Sequence, residues 1–582
     1  MQSGLSKWVG PAIIGAAMAA LVVLGGRLVY INAARGPTLL AQAQHQQRSI
    51  IPLKHRRGLI VDSRGRIIAG TLLQKSVFAD PTVLPDKNEA AAKVSEILGL
   101  DVREIGEELL SAGDRQFLVI RRGVTEEQAD QIQTASIYGL GTFNEPYRTY
   151  PMGGLAAAVV GFVSPDGHGV SGLESQCENW LAGENGLKTI IRDARRKAFW
   201  LAENGYRPAR DGFHIVLTID AEIQAQAERE LAATVQQYHA ESGVVIVMSP
   251  KTGAILALAN VPSFDPNVYQ DYSPSQYRNR AITDPFEPGS VFKPFVAAGA
   301  LAEKVIHLGE SLDCESGSWQ DGARLLHDHH PYGMLTFEQI IIKSSNIGMG
   351  KIGKRLGNER LYKYVKAFGF GDKTGVDLEG EDPGLVRPLH RWNSFTTTSV
   401  PMGQEVGVTA LQLARGFSAF ANGGQLVQPY LIRAVLAADG RVLSDFSDPP
   451  SLGQAISPEV AETMKEKLLC PVVEEGTGTK AKLANYRVFG KTGTAQIARQ
   501  GGGGFDHNAY VGSFVCAAPA SDPQLVVLAM IRRPQASIAY YGGTVAAPLA
   551  REVMAHALAY LNIPPDKTAS ASGVAASTPP SD

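Results

Sequence analysis

The sequence has few cysteines, no excess of charge of either sign and no periodic glycine. Four cysteines among 582 residues are too few for a disulfide-built fold, and no Cys-x-x-Cys spacing is present for a zinc ribbon or a thioredoxin-type site. Lysine and arginine total 55 against 57 acidic residues, so a dedicated nucleic-acid binder is not indicated. The 61 glycines and 33 prolines follow no fixed period, which excludes collagen. Since 44% of the residues are hydrophobic, the chain can form packed cores.

One long hydrophobic run lies close to the N terminus. Residues 8–26 carry no charge, and a helix of that length reaches about 29 Å, close to the ~30 Å hydrocarbon core of a bilayer. Arg27 can extend to the membrane surface, and Trp8 and Tyr30 suit the two interfaces. The segments predicted are a cytoplasmic tail over residues 1–7, a transmembrane helix over 8–31 and a linker over 32–50. The alternative is a cleaved signal peptide, cut near Ala43.

The remaining chain divides into two regions of different pattern. Residues 51–210 mix short strands and helices, with a hairpin turn predicted at residues 62–65. Residues 211–562 read as one large domain that begins with a strand and a helix capped by Asp220. Residues 563–582 are of low complexity and are predicted to be disordered. The fold class predicted is α+β, in several domains.

Strand patterns occur at both ends of the second region. They cover residues 244–248, 254–259, 487–497, 509–517 and 524–532. The sequence between the second and third of these patterns is mostly helical. We therefore expect one sheet with strands from both ends of the region and a helical insertion between them.

Ser290 and Lys293 form a Ser-x-x-Lys motif after the breaker pair Pro288-Gly289. The sequence that follows is helical, and Pro294 is tolerated because it lies in the first turn. Ser290 is thus placed at a helix N terminus, where the dipole favours a developing anion. Lys293 lies one turn further on the same face, where its amine can take the hydroxyl proton. Alone the motif is weak, because an N-cap serine followed by a surface lysine gives the same pattern.

Ser344 and Asn346 lie two residues apart at the start of an apolar helical stretch. A turn can point both side chains into one cleft, where a hydroxyl can relay a proton and a carboxamide can hold an amide substrate. Helix capping explains the same residues when they are taken alone.

The tripeptide Lys-Thr-Gly occurs three times, at residues 251–253, 373–375 and 491–493. The first copy lies in a hairpin turn and the second in a loop rich in glycine and aspartate. Only Lys491-Thr492-Gly493-Thr494 lies within a strand pattern, where a strand edge can be offered to a substrate and Gly493 allows close backbone approach. The third copy is therefore the predicted site.

The three motifs, in this order, resemble those of the penicillin-recognising serine acyl-transferases. The flanking residues 279–294 and 490–496 look like class B penicillin-binding proteins, and residues 57–70, 148–151 and 169–174 resemble that family's N-terminal pedestal. Ser-Ser-Asn and the lead-in Thr-Asp-Pro-Phe-Glu-Pro-Gly-Ser are similar to the septal, cell-division type. The resemblance implies a dimerisation-type pedestal at 51–210. At 211–562 it implies a transpeptidase domain with an antiparallel sheet flanked by helices and a helical subdomain.

The resemblance further implies a peptidoglycan D,D-transpeptidase, inhibited by β-lactams, that forms an acyl-enzyme on Ser290. Lys293 would be the base, and burial or the neighbouring Lys491 would have to lower its pKa, because an ordinary lysine is only about one part in 2,500 neutral at pH 7. Ser344 would pass a proton to the leaving amine, and Asn346 would hold the donor's amide.

Substrate binding and location follow from the same resemblance. Thr494, with Thr492 and Gly493 beside it, would bind the substrate carboxylate, and the backbone N–H groups of Ser290 and Thr494 would form the oxyanion hole. No metal or cofactor is implied. Because the substrate lies outside the cytoplasm, we expect a single-pass protein of the inner (cytoplasmic) membrane with its catalytic domain outside. The implied partners are peptidoglycan stem peptides, a membrane-embedded glycan polymerase and division proteins, and no nucleic acid.

Several alternatives share the same motifs. A β-lactamase would need a group that activates water, and no Glu-x-x-Leu-Asn pattern is present. A D,D-carboxypeptidase and an elongation-type transpeptidase belong to the same superfamily. A β-lactam sensor or a division scaffold would be non-catalytic, although the complete set of catalytic side chains argues against an inactive enzyme.

Two further features suggest other chemistry. His327-Asp328-His329-His330 resembles a metal cluster, but histidines beside a turn more often face solvent. Cys177, Cys314, Cys470 and Cys516 could pair as disulfides outside the cytosol. Cys516 lies in an apolar strand pattern and is predicted to be a buried thiol.

Overall fold

A computed structural model of the chain describes residues 6–39, 48–115, 117–192, 198–499 and 504–567. The chain forms two compact units, one of residues 1–56 and 183–211 and the other of residues 57–182 and 212–582. Most of the predicted cytoplasmic tail, part of the predicted linker and the predicted disordered tail beyond residue 567 lie outside the described residues.

The first unit begins with the apolar helix Ser6–Tyr30, which continues through a π-helical turn at Ile31–Arg35. Among the described residues it is the one helix long and apolar enough to cross a membrane, over Val9–Leu39. Residues 32–39, predicted as linker, therefore extend the helix, as their alanines favour. Its 31 residues span about 46 Å, so its last turns can reach beyond a ~30 Å hydrocarbon core. Three antiparallel strands complete the unit, in the order Arg48–Leu53, Gly186–Arg192, Ala198–Arg207.

A seven-stranded sheet forms one part of the second unit. Its strands run in the order Val442–Asp445, Ile432–Leu436, His214–Leu217, Ile60–Val61, Ile67–Ala79 and Leu118–Val124, and Leu140–Thr149 also pairs with Ile67–Ala79. Three helices form a small core with Val77 and Ala79 of the strand Ile67–Ala79. They are Lys87–Leu98, Val102–Ser111 and Glu126–Thr134. The strands at 432–445 come from the region predicted to be catalytic. The sheet thus joins the two predicted regions by backbone hydrogen bonds.

The hairpin turn predicted in the first region is confirmed. The Asp62 carboxylate accepts the N–H groups of Arg64, at 3.0 Å, and of Arg66, at 2.7 Å. Gly65 closes the turn with a φ of +82°. The Arg66 guanidinium binds both Asp62 and Asp220, at 2.7 and 2.6 Å. Asp220 caps the helix Ala221–Gln237, as predicted. These ion pairs fix the hairpin to the start of that helix.

A buried carboxylate connects the segments that resemble the family's pedestal. Glu174 is fully buried and accepts bonds from the Nε atoms of Arg57, at 2.6 Å, and Arg148, at 2.7 Å. Both guanidinium groups are also nearly fully buried, and Glu178, which lies 2.6 Å from Arg57, supplies the second negative charge that balances the two arginines.

The other part of the second unit is built on a five-stranded antiparallel sheet. Its strands are β1 Ser242–Met248, β2 Ile255–Val261, β3 Phe489–Ala498, β4 Phe505–Ala518 and β5 Leu525–Arg532. The order across the sheet is β2-β1-β5-β4-β3, so strands from both ends of the region pair directly. This confirms the predicted arrangement and leaves β3 at an edge.

Five longer helices surround this sheet. They are α1 Ala221–Gln237, α2 Lys293–Ala302, α3 Asn346–Ala367, α4 Ala410–Ala421 and α5 Ala547–Tyr560. Alternate residues of β1 point to opposite faces: Val245 and Val247 pack in the core of α1 and α5, whereas Val244 and Ile246 pack in the core of α2 and α4. The sheet therefore has helices on both faces.

The helical insertion between β2 and β3 contains most of the remaining elements. Its short helices are Pro274–Tyr277, Arg280–Thr283, Phe337–Ile342, Thr396–Ser399, Pro458–Thr463 and Cys470–Glu474. Its strand pairs are Ser311–Asp313 with Met334–Thr336, Ser318–Asp321 with Arg324–His327, and Leu385–Val386 with Val406–Gly407. Outside the insertion lie the short helices Ala157–Val160, Gly172–Gln176, Glu178–Leu181 and Gly542–Val545.

Candidate active site

Ser290 lies in a 3₁₀ turn, Gly289–Phe292, that leads directly into α2. This agrees with the predicted helix N terminus. Gly289 has a φ of +58°, and a Cβ there would lie 2.9 Å from the carbonyl oxygen of Thr494. A side chain at this position would meet both backbone strain and a clash. The glycine thus lets the serine turn pack against β3.

The Ser344-Ser345-Asn346 motif follows the helix Phe337–Ile342 and ends on the first residue of α3. Ser344 adopts a φ of +60°, which is strained for a residue other than glycine, and the Ser345 hydroxyl caps α3 by accepting the N–H of Gly348 at 3.0 Å. The middle serine is therefore the capping residue. The outer two side chains are available to the site.

Asp328 anchors this motif, a role that the sequence did not reveal. Its carboxylate accepts the Ser345 hydroxyl at 2.6 Å and the backbone N–H groups of Asn346 and Ile347. The carbonyl of His327 accepts the Asn346 side-chain amide at 3.0 Å. The sequence pattern does not show that Asp328 pairs with Ser345, because the two residues lie 17 positions apart.

The third Lys-Thr-Gly copy lies on β3, at the edge of the sheet, as predicted. A Cβ at Gly493 would lie 2.9 Å from the Val291 side chain and 3.0 Å from the carbonyl oxygen of Pro288. The absence of a side chain therefore lets β3 pack closely on the serine turn. The copy at residues 251–253 lies in the β1–β2 turn and the copy at 373–375 lies in a loop, both as predicted.

Two fully buried lysines meet at the Ser344 hydroxyl. The ammonium of Lys293 lies 2.6 Å from the Ser344 carbonyl oxygen, 3.2 Å from its Oγ and 2.9 Å from Oδ1 of Asn346. The ammonium of Lys491 lies 3.0 Å from the same Oγ. Among the described residues, Lys293 is hydrogen-bonded to these groups and not to Ser290. Catalytic hydrogen bonds often tighten only when substrate is bound.

Burial perturbs the protonation of both lysines. Desolvation lowers the pKa of Lys293 from 10.5 to about 7, against the opposing charge of Asp328. Desolvation, reinforced by the charge of Lys293, lowers the pKa of Lys491 well below its usual value. Of the two expected causes of a low pKa at Lys293, burial is thus the one that acts, and the role of Lys293 as base stays a prediction. The neighbouring lysine was expected to lower the pKa of Lys293, but the repulsion between the two charges lowers the pKa of Lys491 instead.

Ser290, Asn346 and Thr494 line one open cavity of about 340 Å³. Its other lining residues are Glu287, Gly289, His329, Met402, Gln404, Ala495, Gln496, Tyr510, Tyr540 and Tyr541. The Thr494 hydroxyl accepts the N–H of Gly542 at 3.1 Å. Thr492 is not part of this lining: it is buried, and its hydroxyl is bonded to that of Thr477 at 2.6 Å. The structure thus brings Thr494, rather than Thr492, to the cavity.

The histidine cluster does not form a metal site in the described part of the chain. No group of three or more potential metal ligands is present there. All three histidines are exposed, as expected, and His329 also lines the cavity. The cavity walls partly desolvate the ring of His329, and this desolvation, with the charges of Lys293 and His330, lowers the pKa of His329 and favours the neutral ring.

All four cysteines are buried free thiols, so none of the possible disulfide pairings is present. For Cys516 this confirms the prediction, since it lies within β4 of the central sheet.

A serine at a helix start, a Ser-x-Asn turn and a strand-edge Lys-Thr-Gly around one cavity define the fold class of penicillin-recognising serine acyl-transferases. Comparison with known families gives the same class. The family described as "Penicillin binding protein transpeptidase domain" matches residues 243–555, and "Penicillin-binding Protein dimerisation domain" matches residues 52–217.

Similar proteins cover nearly the whole chain. Stage V sporulation protein D of Bacillus subtilis is 33% identical over 94% of this chain and 84% of its own length. Peptidoglycan D,D-transpeptidase FtsI of Escherichia coli is 29% identical over 96% of this chain and 93% of its own. The crystal structure of penicillin-binding protein 3 of Mycobacterium tuberculosis complexed with aztreonam has a TM-score of 0.69 and 28% identity, over 89% of this chain and 98% of that one. The chain belongs to the class B penicillin-binding proteins, and its enzyme class is that of a serine-type transpeptidase.

Proposed function

We propose that this protein is a peptidoglycan D,D-transpeptidase that cross-links stem peptides through an acyl-enzyme on Ser290. The observation that carries the proposal is the pair of buried lysines at the Ser344 hydroxyl, behind a cavity lined by Ser290, Asn346 and Thr494. In this proposal Ser290 is the nucleophile, Lys293 is the base of lowered pKa and Ser344 is the proton relay, which are the groups that acyl transfer requires.

In the first half-reaction, the neutral amine of Lys293 takes the proton of the Ser290 hydroxyl. The Ser290 oxygen then attacks the penultimate D-alanine carbonyl, and the backbone N–H groups of Ser290 and Thr494 stabilise the oxyanion. As the tetrahedral intermediate collapses, the Ser344 hydroxyl delivers a proton to the departing D-alanine amine and is reprotonated by the lysine pair. Asn346 holds the donor's amide, and Thr494, with Gly493 and Thr492 behind it, receives the terminal carboxylate.

In the second half-reaction, an amine from a neighbouring stem peptide attacks the ester. The bond between Ser290 Oγ and the acyl carbon breaks, and the serine oxygen recovers its proton. Burial keeps Lys293 from holding its proton throughout the cycle, because desolvation lowers the pKa of its amine to about 7.

We further propose that the protein acts in septal wall synthesis from the outer side of the cytoplasmic membrane. The helix over 8–31 would be the anchor, residues 51–210 the pedestal and residues 211–562 the catalytic domain. The membrane-length helix, the two family matches and the septal-type lead-in to Ser290 support this assignment. Its partners would be a membrane-embedded glycan polymerase and division proteins.

The test is labelling with a fluorescent penicillin, followed by a chase. Wild-type protein should retain the label, whereas Ser290→Ala and Lys293→Ala should not acquire it. A folded Lys293→Ala variant that labels at the normal rate would disprove its role as base. Rapid loss of label from the wild type would favour a hydrolase, and a Ser290→Ala variant that still supports division would favour a scaffold.

A further inference from the structure

Glu287 is the one carboxylate among the described residues that line the cavity in front of Ser290. Lys293 and Lys491 are fully buried behind the cavity wall and do not line it. Of the other lining residues, only His329 and three tyrosines can ionise. Glu287 is therefore the lining residue that can present a negative charge to an incoming molecule. Burial, with the charge of Glu405, raises the pKa of Glu287, and a cation bound beside it would lower this pKa again.

The position of this carboxylate is fixed by the neighbouring loop of residues 403–408. Oε1 of Glu287 accepts the backbone N–H of Glu405 at 2.9 Å. On one side Phe286 and Val408 exchange two backbone hydrogen bonds of 2.9 Å, and on the other Gly289 donates to the carbonyl of Gly403 at 3.1 Å. Bonds on both sides of Glu287 hold its backbone, so the carboxylate is placed before any substrate arrives.

The proposed reaction brings two molecules of different charge into this cavity. The donor ends in a carboxylate, which Glu287 would repel and Thr494 would accept. The acceptor carries an amine that is an ammonium at neutral pH in its ordinary state. Ammonium and carboxylate groups form charge-assisted hydrogen bonds, which are stronger than neutral ones. The donor carboxylate would therefore bind at Thr494 on β3, and the acceptor ammonium would bind at Glu287.

We infer that Glu287 binds the ammonium group of the acceptor stem peptide and so sets the specificity for a cationic acceptor. The inference rests on the proposed transpeptidase function. Glu287 binds and orients the ammonium, which then gives one proton to the neutral Lys293 before its lone pair bonds the acyl carbon. The second amine proton passes to Ser290 Oγ as the ester bond breaks.

The test separates acylation from transfer. A D-alanyl thioester acylates Ser290, and Nα-acetyl-lysine methylamide then competes with water for the acyl group. In Glu287→Gln, the acceptor concentration that gives half-maximal aminolysis should rise about tenfold or more, the loss expected when a hydrogen bond to a charged group becomes a neutral one. The substitution preserves Oε1 as acceptor for Glu405, and Glu359→Gln, which removes a charge from an exposed position of α3, should leave this value unchanged. An unchanged value in folded Glu287→Gln would overturn the inference.

A second measurement needs only the wild type. The alcohol analogue, in which the ε-ammonium is replaced by a hydroxyl, should inhibit aminolysis at least about tenfold more weakly than a non-transferring guanidinium analogue, which keeps both the positive charge and the N–H donors. Equal inhibition would overturn the inference even if Glu287→Gln did not fold. If the thioester formed no ester on Ser290 by mass spectrometry, the proposed function itself would fail, which is a distinct result.

Discussion

The rate of Ser290 acylation should depend on pH through the protonation of Lys293. Only the neutral amine can take the serine proton, and burial lowers the pKa of Lys293 from 10.5 to about 7. The acylation rate constant should therefore rise with pH, level off above about pH 8 and show its midpoint near pH 7. An unperturbed lysine would instead give a rise that continues past pH 9.

The expected size of the effect follows from the same values. At pH 7 about half of Lys293 is neutral, compared with about one part in 3,000 for a lysine of pKa 10.5. The gain in reactive enzyme is about 10³, or roughly 4 kcal/mol. Between pH 7 and pH 5, the neutral fraction and hence the rate should fall about 50-fold.

The assay is quenched-flow labelling with a penicillin between pH 5 and pH 9.5, under conditions in which the protein remains folded. His329 also titrates at the cavity and has a lowered pKa, so His329→Gln is the matched control: the midpoint near pH 7 should remain. Lys293→Arg, which has no accessible neutral form, should be inactive at every pH. A rate that is flat across this range, or that is still rising at pH 9.5 with no midpoint near pH 7, would falsify the assignment of Lys293 as a base activated by burial.

Three further substitutions test the framework of the site. Lys293→Met should raise the free energy of unfolding at pH 7 by about 1–2 kcal/mol. Burial lowers the pKa of the Lys293 amine and so costs folding free energy at this pH, and methionine does not have this cost. Since burial lowers the folded-state pKa, the unfolded wild type binds more protons between about pH 7 and 10.5, so its stability should rise with pH there and the variant's should rise less. Asp328→Asn loses the acceptor of the Ser345 hydroxyl, and we expect about 1–3 kcal/mol lower stability in urea and slower labelling; normal labelling would show that Asp328 does not position the motif. Glu174→Gln leaves the buried guanidinium of Arg148 without a countercharge, while Arg57 keeps its ion pair with Glu178, and the change should cost about 3–5 kcal/mol by denaturant titration; a loss below 1 kcal/mol would mean that water reaches this network.

The sequence was sufficient for those parts of the fold that depend on local patterns. Strands with long apolar runs, such as 524–532, and a helix cap such as Asp220 appear where they were predicted, because the period of the side chains and the capping chemistry act within a few residues. The choice among the three Lys-Thr-Gly copies also followed from local pattern, since only one lies in a strand.

Features that depend on distant contacts were not predictable in this way. Asp328 reads as part of a metal-like cluster, yet its carboxylate is bonded to Ser345 and the start of α3. Thr492 belongs to the motif, but its hydroxyl pairs with Thr477 instead of reaching the cavity. In each case the partner is set by packing between elements, for which a single sequence carries no periodic signal.

The seven-stranded sheet has a consequence for how the chain can be divided. His214–Leu217 is hydrogen-bonded on one side to Ile60–Val61 and on the other to Ile432–Leu436, more than 200 residues later. A fragment that ends near residue 217 would expose the second side of this strand as a bare edge, a template on which other chains can add. During synthesis the same strand edge stays unpaired until residue 436 has left the ribosome. We therefore expect the N-terminal fragment alone to aggregate, and coexpression with the C-terminal fragment to restore its solubility.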